Sequence, residues 1–361
     1  MDLKRFLRPD WDSLEPYKPI KPLDVLAAEI GIPVGQLVKL DANENLYGPV
    51  PEVLEAIAAA DLHIYPDPSQ TALREAIAGY AGVAPGQVVA GSGADDLIDV
   101  VLRVVQPAAV VNCTPTFGMY TFLAQINNAR TVEVPRGRGF EIDVEGVAAA
   151  VGAGASVVFL TSPNNPTGNA LAEADLERLC ALDALIVVDE AYVEFGSRSA
   201  VPQLAAHSNL IILRTFSKWA ALAGLRVGYA LCHEEFAACL MAVKQPYSVS
   251  VAGDVAARAA IAQRGPIMET VRCIVAERER MAGQLAELGW LRPLPSEGNF
   301  VLVQVDGREA KEVASALRAK GVLIRHYDRP DLAGYIRISA GRPQDTDRLL
   351  AALREIGNGD R

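Results

Sequence analysis

Lys218 stands in Ser217-Lys218-Trp219-Ala220-Ala221-Leu222, directly after an apolar run at 210–213. An amine held among apolar neighbours at the end of a strand is desolvated. Its proton affinity falls, and it is free to condense with a carbonyl group. Asp189 closes a second apolar run, 185–188, so its carboxylate needs a cationic partner; a protonated pyridine nitrogen would serve, and an N-cap role stays open. Tyr192, three residues on, and Asn165 supply hydrogen-bonding groups for a phenolic oxygen on the same ring. Ser217 and Arg226 add a hydroxyl and a guanidinium fork suited to a phosphate. Phe117 reads either as a ring-stacking residue or as a core aromatic.

These residues share a placement. Apolar runs at 87–90, 109–113, 131–134, 156–161, 185–189, 210–214 and 227–231 read as strands. Amphipathic stretches such as 94–105, 173–181 and 234–243 lie between them. Near-continuous apolar strands alternating with helices predict an α/β fold whose large domain has a mostly parallel sheet between helices. Gly91-Ser92-Gly93-Ala94-Asp95-Asp96, Ser162-Pro163-Asn164-Asn165-Pro166-Thr167-Gly168, Asp189-Glu190-Ala191-Tyr192 and Thr215-Phe216-Ser217-Lys218 each begin where such a strand ends. In open parallel sheets that edge is where ligands bind, so the four loops are expected to converge on one cleft. Gly93, Ala94 and Asp95 open a helix whose free N–H groups suit an anion, although alone the turn reads better as a plain strand-to-helix connection. It is not a dinucleotide fingerprint, because the third glycine would fall at Asp96.

Beyond residue 250 the pattern turns helical to 288. Strands at 299–305, 322–325 and 335–339 follow, with helices at 308–320 and 345–356. This predicts a smaller α/β domain over 251–361, a large domain over 46–250, and an N-terminal segment, 1–45, packing on the small domain. The chain has 361 residues, half of them apolar, and a net charge of −10, which argues against nucleic-acid and anionic-membrane partners. Five scattered cysteines and four histidines show no metal-binding spacing and suggest reduced thiols in a cytoplasmic protein. The charged, proline-broken N-terminus does not read as a signal peptide.

Taken together, GSGADD, PTFGMY, SPNNPTG, DEAY, TFSK…GLR and a late IRIS resemble the fold-type-I aminotransferases. With KLDANENLYGP at 39–49 and Tyr65-Pro66-Asp67, the chain is similar to the histidinol-phosphate branch of that family. The resemblance implies pyridoxal 5′-phosphate as cofactor, bound as a Schiff base to Lys218, which then shuttles the substrate's proton. It implies Asp189 on the pyridine nitrogen, Asn165 and Tyr192 on the phenolic oxygen, and Phe117 over the ring. The Gly93–Ala94–Asp95 backbone, Ser217 and Arg226 would take the phosphate. Tyr65 would reach the neighbouring site of a homodimer, and Tyr17, Asn299, Arg325 and Arg337 would bind substrate. The substrates implied are an amino donor and a 2-oxo acid, histidinol phosphate and 2-oxoglutarate. An aromatic-amino-acid aminotransferase of the same branch would keep every cofactor residue and differ only in the pocket. A threonine-phosphate decarboxylase has a similar fold, but the ANEN-x-YGP pattern counts against it, and a regulatory protein without turnover is the reading from another class. Leu46, Gly298 and Ser339-Ala340-Gly341-Arg342 depart from the branch's usual pattern, the last of them beside Arg337.

Overall fold

The computed structural model describes residues 3–14, 16 and 21–358. A short strand, β1 (Val38–Lys39), precedes the main sheet. That sheet is built from β2 (Val88–Gly91), β3 (Ala109–Thr114), β4 (Arg130–Pro135), β5 (Val157–Thr161), β6 (Leu185–Asp189), β7 (Leu210–Thr215) and β8 (Gly228–Leu231). Their order is β2-β8-β7-β6-β5-β3-β4. Every residue of β3, β5 and β7 is buried, as expected of strands covered on both faces, whereas the edge strand β4 carries exposed Arg130 and Glu133.

The pairs from β7 through β4 are parallel, while β8 is antiparallel to both β7 and β2. Its connection explains the reversal. The chain returns from β7 to β8 through residues 216–227 without a crossover helix of the length a parallel neighbour needs. The carboxyl ends of β2, β3, β5, β6 and β7 therefore all open on one edge, and the strand order changes direction between β3 and β5.

The second sheet comprises β9 (Leu291–Pro293), β10 (Phe300–Val305), β12 (Arg325–His326) and β13 (Tyr335–Ser339), in the antiparallel order β12-β13-β10-β9. β11 (Val322–Leu323) pairs instead with β1, in parallel. The single strand expected at 322–325 is thus two, because the chain changes partner at Ile324. The short strands β1 and β9 had no counterpart in the sequence reading.

The packing does not divide where the periodicity changes. Ala256, Ala257 and Ala260 of the helix Val251–Ala262 lie in the core of the large sheet. The next helix, Arg264–Ala286, spans both bodies: Ile267, Val271 and Ile274 join the large core, Met281 and Leu285 the small one. The N-terminal segment also divides its contacts. Val38 and Leu40 belong to the small core, but Arg8 donates hydrogen bonds to the carbonyls of Gln125 and Ile126, next to the large sheet. Among the described residues no helix is long and apolar enough to cross a membrane.

Candidate active site

A cavity of about 400 Å³ opens at the carboxyl edge of the main sheet, roofed by residues of the second body. Its floor starts with the turn after β2. Gly93 has φ +90°, and a Cβ there would lie 2.5 Å from Arg226 Nη2. Gly228 faces the turn from β8, where a Cβ would come within 2.6 Å of both Ala94 N and Gly93 C. Two missing side chains thus let three segments close around the first turn of the helix Ala94–Val105, whose leading N–H groups have no intrahelical acceptors. Arg226 completes this corner, donating to Ser217 Oγ at 3.4 Å and to Asp95 Oδ2 at 3.2 Å. Burial pushes the Asp95 carboxyl up, against the pull of Arg226 and Lys218. The corner presents a guanidinium, a hydroxyl and backbone N–H groups, a donor set matched to a phosphate.

Asp189 ends β6, is 4% exposed and lines the cavity. Its Oδ1 accepts the Ala191 N–H at 3.0 Å and its Oδ2 the Tyr120 hydroxyl at 2.7 Å. Burial pushes this carboxyl up to about 6, with the Tyr120 and Ala191 hydrogen bonds opposing. Tyr192 accepts a hydrogen bond from Asn43 Nδ2 at 3.1 Å, and burial raises its hydroxyl to about 12. Asn165 lines the cavity, its Oδ1 accepting from Arg337 Nη1 at 2.7 Å. Phe117 also lines it, edge-on to Tyr120 at 5.6 Å.

Lys218 sits in the β7–β8 connection, half-buried, its Nζ donating to Ala42 O at 3.1 Å and lying 5.7 Å from the centre of the Tyr192 ring. Burial first, and then the charge of Arg337, pull its ammonium down to about 8; Glu44 and Asp95 act in the other direction. An appreciable fraction is therefore neutral, and nucleophilic, near neutral pH.

The second body contributes Arg325 and Arg337, register partners across β12 and β13, together with Tyr327 and Arg329. Arg337 is buried, donates to Asp41 O at 2.5 Å and lies 5.5 Å from the centre of the Phe300 ring. Asn299 and Tyr65 do not line this cavity. Asn299 is fully buried outside the cavity lining and donates to Asn43 O at 3.0 Å, so it braces the segment behind Tyr192. Tyr65 is 80% exposed and packs against Tyr247, ring centres 4.8 Å apart, on the rim of a second cavity. Tyr17 lies outside the described residues.

Other lining residues carried no sequence signal strong enough to single them out. Tyr327 and Arg329 follow β12 in an irregular segment, and Glu44 and Asn43 lie in a quoted motif without an assigned role. Tyr120, beneath the lining on the helix Met119–Ile126, likewise lies in a quoted motif without an assigned role. The donor set fits pyridoxal phosphate: an anion corner at one end, an amine of lowered proton affinity, and a buried carboxylate short of a cation.

A sequence model described as aminotransferase class I and II matches residues 35–353. The chain is 47% identical to the histidinol-phosphate aminotransferase of Roseiflexus castenholzii, over 97% of this chain and 98% of that one. It is 45% identical to the chloroplastic histidinol-phosphate aminotransferase 1 of Arabidopsis thaliana, over 97% of this chain and 86% of the other. The crystal structure of histidinol-phosphate aminotransferase from Sinorhizobium meliloti, in complex with pyridoxal-5′-phosphate, matches with a TM-score of 0.89 at 33% identity, covering 98% of each chain.

Proposed function

The chain belongs to the class I and II aminotransferases, and on that footing we propose that it moves an amino group between L-histidinol phosphate and 2-oxoglutarate, giving imidazole acetol phosphate and L-glutamate, in histidine biosynthesis. The names of its relatives support the substrate pair. One observation carries the chemistry: the Lys218 amine, drawn down to about 8, shares a cavity with the buried Asp189 carboxylate and the Arg325–Arg337 pair. Pyridoxal 5′-phosphate, when bound, supplies an aldehyde for that amine and a ring that takes up the electron pair left when the substrate's Cα loses its proton.

The protein's own groups do the rest. The N–H groups of Ala94 and Asp95, approached closely because Gly93 lacks a side chain, hold the cofactor phosphate with Ser217 and Arg226. Asp189 answers the pyridine nitrogen, Asn165 and Tyr192 the phenolic oxygen, and Phe117 covers the ring. Lys218 Nζ takes the proton from the substrate's Cα, and the lowered proton affinity suits both halves of that task. Arg325 and Arg337 offer guanidinium forks for the phosphate of one substrate and the carboxylates of the other. The working unit is a homodimer, supported by the cluster of exposed Leu62, Ile64, Tyr65 and Tyr247. All five cysteines are free thiols, which suits the cytoplasm.

The test is a panel of half-reactions on the purified, cofactor-loaded protein. A visible absorbance abolished by borohydride is expected, and glutamate and histidinol phosphate should each bleach it. Protein that stays colourless with cofactor refutes the reaction class. Histidinol phosphate leaving the spectrum unchanged while phenylalanine or threonine phosphate converts it refutes the substrate.

A further inference from the structure

Thr161 and Asp189 are register partners at the ends of the parallel strands β5 and β6. Their side chains leave the same face of the sheet, roughly 5 Å apart. The helix Met119–Ile126 covers this face, and the Tyr120 hydroxyl lies 2.7 Å from Asp189 Oδ2 and 2.7 Å from Thr161 Oγ1. The Tyr120 ring has no exposed surface; it stacks on Phe159 at 5.0 Å and takes Phe117 against its side at 5.6 Å. Its hydroxyl is thus fixed where two strand ends meet.

Proton counting gives the chain of hydrogen bonds a direction. The phenol has one hydrogen, and the ionised carboxylate is its stronger acceptor. Thr116 donates its hydrogen to Asn164 Oδ1 at 2.8 Å, and Asn164 commits both amide hydrogens, to Pro115 O and Thr167 Oγ1. Thr161 is left to donate to Tyr120 at 2.7 Å or to Thr116 at 3.1 Å, and the shorter contact is the one to Tyr120. A donated hydrogen bond to the phenol oxygen makes that phenol a better donor in turn.

We propose that Tyr120 and Thr161 are positioning residues: the Tyr120 hydroxyl, polarised by Thr161, holds Asp189 ionised and in place at the cavity, where its charge meets the pyridine nitrogen of the bound cofactor. This rests on the reading of the cavity given under Proposed function. The groups facing Asp189 explain the need. Burial pushes it up to about 6; Asp95 of the helix Ala94–Val105 and the neighbouring Glu190 add repulsion, while Tyr120 and the Ala191 N–H are the groups that counter it. The buried Tyr192 hydroxyl also faces it.

The decisive measurement uses apoprotein. The infrared carbonyl stretch of a neutral carboxylic acid, assigned by its loss in Asp189→Asn, is followed across the acid-to-neutral range. Wild type should titrate near 6, and Tyr120→Phe should move that midpoint up by about one pH unit or more, the equivalent of a tenfold change in proton affinity. Thr161→Val, which leaves the ring stack intact, should give a smaller rise that Thr161→Ser reverses. Cofactor affinity at neutral pH should fall by about tenfold in Tyr120→Phe. A lowered melting temperature with an unshifted midpoint would make Tyr120 a packing residue and overturn the proposal, as would Thr161→Val and Thr161→Ser both titrating like wild type. If Asp189→Asn binds cofactor as tightly as wild type, it is the reading of the cavity that fails, whatever the titration shows.

Discussion

Lys218 and Asp189 are both held against their own solvation. Burial lowers the lysine to about 8 and raises the aspartate to about 6. Each shift disfavours the charged form, so each costs folding free energy at neutral pH. The pH windows follow from the shifts. The lysine's unfolded form binds the extra proton between about 8 and its ordinary value of 10.5, so its contribution is complete above that range and is lost as pH falls through about 8. The aspartate's contribution is complete below 3.8 and is lost as pH rises through about 6. Apoprotein carrying Lys218→Met or Asp189→Asn is therefore expected to be more stable than wild type at neutral pH, by on the order of 1–3 kcal/mol. Turnover in either should fall by at least about a hundredfold. Thermal unfolding of the apo forms across pH checks this; variants less stable than wild type at neutral pH would mean that the two groups are compensated in ways the geometry does not contain.

Strand ends position these groups, and the spacing between elements sets how near they come. Gly228 marks the tightest approach to backbone atoms. A Cβ there would meet Ala94 N and Gly93 C at 2.6 Å and Arg214 O at 3.0 Å, all backbone atoms that cannot swing aside. Gly228→Ala should push β8 away from the anion corner, lowering stability by about 1–3 kcal/mol and weakening cofactor binding together with it. A variant with normal unfolding and normal cofactor affinity would show that the close approach is dispensable. The sequence disclosed β5, β6 and β7 nearly to the residue, because a strand buried on both faces must be a continuous apolar run. For the same reason it disclosed that Asn165, Asp189 and Lys218 would share an edge. It could not disclose Gly228, whose smallness matters only against a helix start more than a hundred residues earlier. Nor could it separate Tyr120 from a core aromatic, since the hydroxyl acquires meaning only from two strand ends it reaches across. Asn299, placed with the substrate by the resemblance alone, donates to the segment at Asn43 instead.

At the scale of the whole molecule, Tyr65 presents an aromatic ring to the surface on the rim of the second cavity. It is 80% exposed, packs against Tyr247, and lies close in sequence to exposed Leu62 and Ile64. An aromatic and aliphatic cluster of this kind on a protein surface is expected to be covered, and self-association by a two-fold axis covers it on both copies at once. If Tyr65 then serves the partner's cavity, two defective variants should repair each other. Lys218→Ala retains a good Tyr65 but no amine, while Tyr65→Ala retains the amine but lacks the tyrosine it would receive. In a mixed dimer, one of the two sites combines the intact Lys218 of one chain with the intact Tyr65 of the other. Random reassortment of equal amounts makes half the dimers mixed, so about a quarter of all sites should regain wild-type behaviour. Activity of the mixture after dissociation and reassociation should accordingly exceed the mean of the two variants measured separately. A mixture equal to that mean, in samples shown by light scattering to have exchanged subunits, would place Tyr65 outside the partner's site. Ile64→Lys gives the independent check: if the dimer forms through this exposed cluster, a charge there should yield monomers with weakened cofactor binding, and a dimer with wild-type affinity would move the interface elsewhere on the surface.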